Sequence, residues 1–352
     1  MRRPTRNHPL RTAGTLSLVL LAGACSSPEP AAPPGDITVN VAGDVHFAGT
    51  SAAALEPGGL QAVAGVLGDA DVTVVNLETA ITTRGTPAAK QYTFRAPPSG
   101  LRALKAAGVD VVGLANNHGL DHGRTGLTDT LAAGTAEGLP VIGIGQDAAA
   151  AYRPWTTTVR GHRLAVFDAT QVLDTSLARA WTATDDQPGL ASVQDDAGRA
   201  RLVAGVRAAR GSADSVVVLL HWGRELDECP LPAQQDLAAD LVAAGADAVV
   251  GSHAHRQLGQ GWLSAGDRSA FVDYGLGNFV FYARGSGVTT QSGVLRLTLP
   301  GTGGVSVAQW RPAQIRSGVP VPLEGAAADA AVAAKAALRP CTDLAATPAG
   351  AP

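Results

Sequence analysis

The chain has 352 residues, 45% of them apolar and 16% charged, and its formal net charge is −3. That balance excludes a disordered chain, and the lack of positive charge removes the electrostatic case for nucleic acid as a partner. The length admits one large or two modest domains.

At the N-terminus, Arg2, Arg3, Arg6 and Arg11 precede an apolar run, Leu16 to Ala22, that ends in Ala22-Gly23-Ala24-Cys25. A basic start, a short apolar stretch and small residues before a cleavage point make an export signal, predicted here over residues 1–24. The run is shorter than the about 20 residues that span a bilayer. Leu21 to Cys25 resembles a lipobox, after which Cys25 would carry a lipid and hold the protein to the outer side of the cell membrane. Ala22 stands where leucine is commonest in that pattern, and Ala22-x-Ala24 also fits ordinary cleavage and simple secretion. Residues 25–35, rich in proline and serine, read as a tether.

From Asp36 short apolar strands alternate with helical stretches. Ile37 to Ala42 stops at Gly43-Asp44, and Val72 to Val75 stops at Asn76-Leu77-Glu78. Val109 to Leu114 stops at Asn116-Asn117-His118, and Val141 to Ile144 follows a helix over about 125–136. Helices are also expected at 59–67 and 101–107. This β-α-β rhythm predicts a mainly parallel sheet with crossover helices. The second half repeats it: a helix over 200–209, the strand Ser215 to Leu220 ending at His221, a helix over 233–244, and Ala248 to Val250 ending at Gly251-Ser252-His253. Strands without helices between them follow at 270–274, 293–299 and 305–310, and 164–167 joins these or the first sheet. The expected architecture is α/β, two packed mixed sheets flanked by helices, over a domain 36–318. Residues 319–352 read as an Ala/Pro-rich tail with one helix at 326–338.

In a doubly wound sheet the carboxyl ends of the strands line one crevice, where ligands bind. Asp44, His46, Glu78, Asn117, His118, His221, His253 and His255 all fall there, whereas His122 reads as loop surface. Asp44/His46 and His253/His255 are i, i+2 pairs, so on an extended segment each pair addresses one site. Carboxylate, imidazole and amide oxygen suit Mn, Fe or Zn. Structural zinc sites favour cysteines, and none lies near these residues. Apart from His118, the ligand candidates are too many for one ion and natural for two, which at about 3.5–4 Å separation support displacement at phosphorus.

The ordered set Gly43-Asp44-Val45-His46, Asn117-His118, His221 and Gly251-Ser252-His253-Ala254-His255 resembles the calcineurin-like metallophosphoesterase signature. The CapA family, linked to poly-γ-glutamate capsule synthesis, is the finer resemblance. It lies in Val75-Asn76-Leu77-Glu78-Thr79, Phe94-Arg95-Ala96-Pro97, Ala115-Asn116-Asn117-His118, His221-Trp222-Gly223-x-Glu225 and Gly275-Leu276-Gly277-Asn278-Phe279. The resemblance implies a four-layer α-β-β-α sandwich with two divalent metal ions. Asp44, His46 and His255 would hold one ion, and Asn117, His221 and His253 the other. His118 would be the general acid. Read from the residues alone, Asp121 could orient His118 or another imidazole, or equally cap the helix that follows. Glu78 stands where the phosphoesterase pattern has a bridging Asp, so it would bridge the ions or bind one of them.

Asn76, Arg95, Glu225 and Asn278 are the candidate substrate contacts, although a salt bridge for Arg95, solvation for Glu225 and turn chemistry for Asn278 explain them equally. Cys229 and Cys341 could form a disulfide that staples the tail to the domain, or stay as two unpaired small residues. The implied substrate is an anionic envelope polymer or a phosphoester, and the implied partner a polymer-synthase complex at the membrane. The competing reading is a non-catalytic accessory that binds such a polyanion.

Overall fold

The computed structural model describes residues 34–282 and 287–349; the expected signal segment, Cys25 and nearly all of the expected tether lie outside them. Two sheets face each other. The first runs in the order Val319–Pro322, Val307–Arg316, Gln291–Leu299, Ile37–Val45, Val72–Leu77, Val111–Gly113, Val141–Ile142, with Asn278–Val280 paired to the end of Ile37–Val45. The second runs Gln260–Ala265, Arg268–Asp273, Ala248–Ser252, Ser215–His221, His162–Thr170, Trp155–Val159. The central strands of each sheet are parallel. Antiparallel strands extend the edges, as expected for mixed sheets.

Three apolar layers make this a four-layer sandwich. Val39, Val74, Leu164, Val217 and Leu295 pack between the sheets. Leu67, Leu101, Leu104 and Leu127 pack one sheet against the helices Gln61–Leu67, Ser99–Ala106 and Gly123–Glu137. Leu202, Val206, Leu237 and Leu241 pack the other against Asp196–Arg210 and Pro232–Ala244. Strand Ser215–His221 is buried along its whole length, which is why its sequence is a continuous apolar run rather than an alternation. The helix that precedes it starts where the Asp195 carboxylate accepts from the Gly198 N–H at 2.7 Å. The helix after it starts with Pro232 at its first turn.

The expected strand over 164–167 belongs to the second sheet, as His162–Thr170. The segment expected as a tail is part of the fold. Val319–Pro322 pairs with Val307–Arg316, Ala345 exchanges backbone hydrogen bonds with Trp262, and Lys335 of helix Gly325–Ala336 is fully buried. Cys341 is disulfide-bonded to Cys229 across 112 residues of sequence, with Cα atoms 5.4 Å apart. Among the described residues no helix is long and apolar enough to cross a membrane.

Candidate metal centre

The parallel strands of both sheets send their carboxyl ends to one place. Asp44 is the penultimate residue of strand Ile37–Val45, Glu78 follows Val72–Leu77, His221 ends Ser215–His221 and His253 follows Ala248–Ser252. The first strand breaks its register at Gly43, where a Cβ would come within 1.9 Å of the Gly277 carbonyl oxygen. Only glycine lets the loop 275–278 close against it, and Asp44 N–H then donates to that oxygen at 3.1 Å.

Among the described residues two groups of metal-ligating atoms result, each with its atoms within 4.8 Å of one another: Glu78 with His221 and His253, and Glu78 with Asp44 and His255. Glu78 is common to both. His221 Nε2 lies 2.8 Å from Asn117 Oδ1 and 3.0 Å from His253 Nδ1. His255 Nδ1 lies 3.2 Å from Asp44 Oδ2. His46 belongs to neither group. Its Nδ1 is 3.0 Å from the Ala48 N–H and the Ser51 hydroxyl, its ring packs on Phe94 and Phe281, and its buried Nε2 has no partner.

The expectation that each i, i+2 pair addresses one site fails for the second pair, because His253 and His255 face different groups. The segment is not extended there. Both residues have positive φ, 89° and 52°, which turns their rings apart to a centroid separation of 5.9 Å. Left-handed backbone at bulky residues is strain held by the surrounding structure, and it occurs preferentially at functional positions.

The electrostatics fit a bound cation. Both Glu78 oxygens are buried without a hydrogen-bond partner, an arrangement that is costly for an isolated carboxylate. Burial, then the Asp44 charge, pushes its carboxyl well above the usual range. Burial holds His46 and His253 neutral, lowering each to about 3, and also drives His221 well down. Burial opposes charge on His255 too, but the Glu78 charge and the Asp44 hydrogen bond raise it to about 10. Neutral imidazoles beside unpartnered carboxylate oxygens are the donor set of a borderline divalent ion.

His118 sits beside this centre with Nε2 3.9 Å from Glu78 Oε1, and its Nδ1 is 2.6 Å from Asp121 Oδ2. Burial lowers its pKa, against the Asp121 hydrogen bond that raises it. Asp121 therefore partners His118 and does not cap the helix that begins at Gly123.

Of the expected substrate contacts, Asn76 lies beneath the ligands. Its amide donates to Asp44 Oδ1 at 2.8 Å and approaches His221 Nδ1 at 3.2 Å, while its oxygen accepts from Asn116. Asn278 likewise faces His255, with Oδ1 2.9 Å from Nδ1. Both orient ligands and are withdrawn from the cleft. Arg95 is exposed, without an ion pair among the described residues, and follows Phe94, whose ring packs on His46 and His118; neighbouring extended residues point to opposite sides. Glu225, with Asp174 and Arg224, rims a cleft of about 530 Å³ that opens on Asn117 and His253. His122 is buried rather than on the loop surface.

Asp168, a residue without a motif, was not legible as part of the site. From the second sheet it accepts the Ala115 N–H at 2.7 Å and so fixes the loop that carries Asn117 and His118. Gly113 and Gly143 make the space, since a Cβ at either would meet its carboxylate at 2.8 and 2.2 Å.

Comparison with known proteins agrees with this geometry. Residues 38–283 match the family described as bacterial capsule synthesis protein PGA_cap. The chain is 35% identical over 228 residues to a capsule biosynthesis protein CapA of Bacillus anthracis, covering 64% of this chain and 53% of that protein. It is also 35% identical over 189 residues to a Mycobacterium tuberculosis protein named "Probable polyglutamine synthesis accessory protein", covering 53% and 50%. The chain thus spans about half the length of these relatives. A crystal structure described as a novel phosphatase of Mycoplasma pneumoniae superposes with a TM-score of 0.50 at 11% identity, over 80% of this chain and 94% of the other, and shares the fold. The chain belongs to the PGA_cap family of bacterial capsule synthesis proteins, within the metallophosphoesterase-like superfamily.

Proposed function

We propose that this chain is a dinuclear-metal-dependent hydrolase that cleaves a phosphoester or a bond in an anionic envelope polymer during capsule or poly-γ-glutamate biosynthesis. The observation that carries the reading is Glu78, a buried carboxylate with both oxygens unpartnered, shared by two groups of ligands. His221, His253 and Asn117 would hold one cation, and Asp44, His255 and the unpartnered His46 Nε2 the other. Divalent ions of the Mn, Fe or Zn class supply Lewis-acid chemistry at such a centre. The chain's own groups do the rest. Asp121 holds the His118 ring by Nδ1, which leaves Nε2 toward the cleft to hand a proton to the leaving oxygen. Asn76 fixes a ligand of each group at once. The names of the relatives support a place in polymer synthesis, with a synthase complex as partner. An outer, lipid-anchored location through Cys25 is supported by the export-type N-terminus and by the Cys229–Cys341 disulfide, which suits an oxidising compartment.

The test is metal content by mass spectrometry on the full chain and on His253→Ala, with phosphodiester and phosphomonoester hydrolysis assayed on the same samples. Two ions per chain with turnover, both reduced in the variant, are expected. Metal binding without turnover on any ester after Mn reconstitution would leave a polyanion-binding accessory.

A further inference from the structure

We infer that Lys90 is a positioning residue for the His118–Asp121 pair, holding Nδ1–H on Asp121 so that Nε2 on the cleft side takes up a proton from solvent and then hands it to the leaving oxygen; this rests on the hydrolase reading. Lys90 lies in the connection before Phe94 and carries no motif, yet its side chain is only 8% exposed. Its ammonium donates to the Asn117 carbonyl oxygen and lies 3.1 Å from Asp121 Oδ1 and 3.6 Å from Asp174 Oδ2. The Trp181 ring stands 5.3 Å away on another side. The ammonium thus spends one N–H on the Asn117 carbonyl and faces the Asp121 and Asp174 carboxylates with its charge.

The two oxygens of Asp121 are unequal. Oδ2 accepts the Phe94 N–H at 2.6 Å and faces His118 Nδ1 at the same distance. Oδ1 is buried and makes no hydrogen bond, so the Lys90 charge is its only compensation. With Oδ1 held by Lys90, Oδ2 stays on Nδ1–H, and Nε2 on the cleft side is the position at which the ring gains the proton it later delivers. Lys90 Nζ is also 3.5 Å from Nδ1, but a nitrogen that donates to Asp121 cannot accept from Lys90. The same short connection presses Phe94 on the His118 ring, at 4.4 Å between centroids, and Ala88 N–H donates to the Asp121 carbonyl at 2.8 Å. Loss of the ammonium leaves a buried, one-sided carboxylate that is free to turn, and a ring free to exchange tautomers.

The experiment compares Lys90→Met, Lys90→Gln and Lys90→Arg with the unaltered full chain, loaded with Zn and labelled with nitrogen-15 histidine. Lys90→Gln keeps a donor for the Asn117 carbonyl without the charge, and serves should Lys90→Met lose its thermal transition. Long-range proton–nitrogen NMR of His118, assigned by loss of its signals in His118→Gln, is expected to show Nδ1 protonated in the parent and in Lys90→Arg, and mixed tautomers in the uncharged variants. Hydrolysis of an alkyl phosphodiester is expected to fall about 100-fold in the uncharged variants. A nitrophenyl diester, whose leaving group needs no proton, is expected to fall less than about tenfold, and Lys90→Arg to recover much of both. An unchanged His118 tautomer in the uncharged variants, or equal loss on both esters, overturns the proposal. A tautomer change in a parent chain that hydrolyses neither ester upholds the positioning role and overturns the hydrolase reading instead.

Discussion

Two of the fully buried carboxylates, Asp273 and Glu78, are treated in opposite ways. Asp273, the last residue of strand Arg268–Asp273 in the second sheet, faces Lys335, whose Nζ is 2.9 Å from Oδ1 and also donates to the Leu258 and Gly275 carbonyls at 2.9 Å. Glu78, at the mouth of the sandwich, has no hydrogen bond to either oxygen; His221 Nε2, 3.5 Å away, is on a ring that burial keeps neutral, and the one charged ring near it, His255 with Nε2 3.9 Å away, is also a candidate ligand. The fold can compensate a buried charge internally, and does so where only stability is at stake. Leaving both Glu78 oxygens without a hydrogen bond amid candidate ligands fits a place for a cation from solution.

Removing each partner should separate the two. Lys335→Met strands Asp273 and should destabilise the protein by about 3–5 kcal/mol in urea unfolding, with part of the loss recovered by adding Asp273→Asn. Glu78→Gln should do the reverse to the metal-free protein, raising its stability by about 1 kcal/mol, while abolishing the rise in melting temperature that added Mn or Zn gives the parent. A stabilising Lys335→Met or a destabilising Glu78→Gln would erase the contrast. Asn76→Ala, which frees Asp44 and His221 together, should weaken metal binding by about 10–100-fold in calorimetric titration without removing a ligand.

Protons sharpen the same contrast. His255 is raised to about 10 in the metal-free protein and must lose its proton to ligate. The logarithm of metal affinity should therefore rise by about one unit per pH unit from pH 7 to 9, with proton release measurable in buffers of different ionisation enthalpy. His46 and His253 behave oppositely. Their folded values, about 3, lie below the ordinary 6.5, so the unfolded chain binds more protons between those limits. The metal-free protein should lose stability as the pH falls from 6.5 toward 3, and chemical denaturation across that range would show it.

The residues that end strands were legible because a parallel sheet converts sequence position into spatial position: Asp44, Glu78, His221 and His253 could be placed at one edge without coordinates. Which way a strand-end residue points was not legible. Asn76 shares the face of Glu78 but sits a layer below it, and the left-handed backbone at His253 and His255 defeats the extended-segment rule. Lys90 and Asp168 act from a loop and from the opposite sheet, where only tertiary contact gives them meaning. The C-terminal helix was legible from its alanines, expected at 326–338 and found at Gly325–Ala336, but that its single Lys335 enters the core was not.

The central claim is that Glu78 is shared by two cations, and anomalous scattering from crystals of the full chain grown with Mn tests it most directly. Two anomalous peaks are expected, flanking the Glu78 carboxylate, one beside His221 and His253 and the other beside Asp44 and His255. A single peak that Glu78 does not touch, or none at saturating Mn, would contradict it.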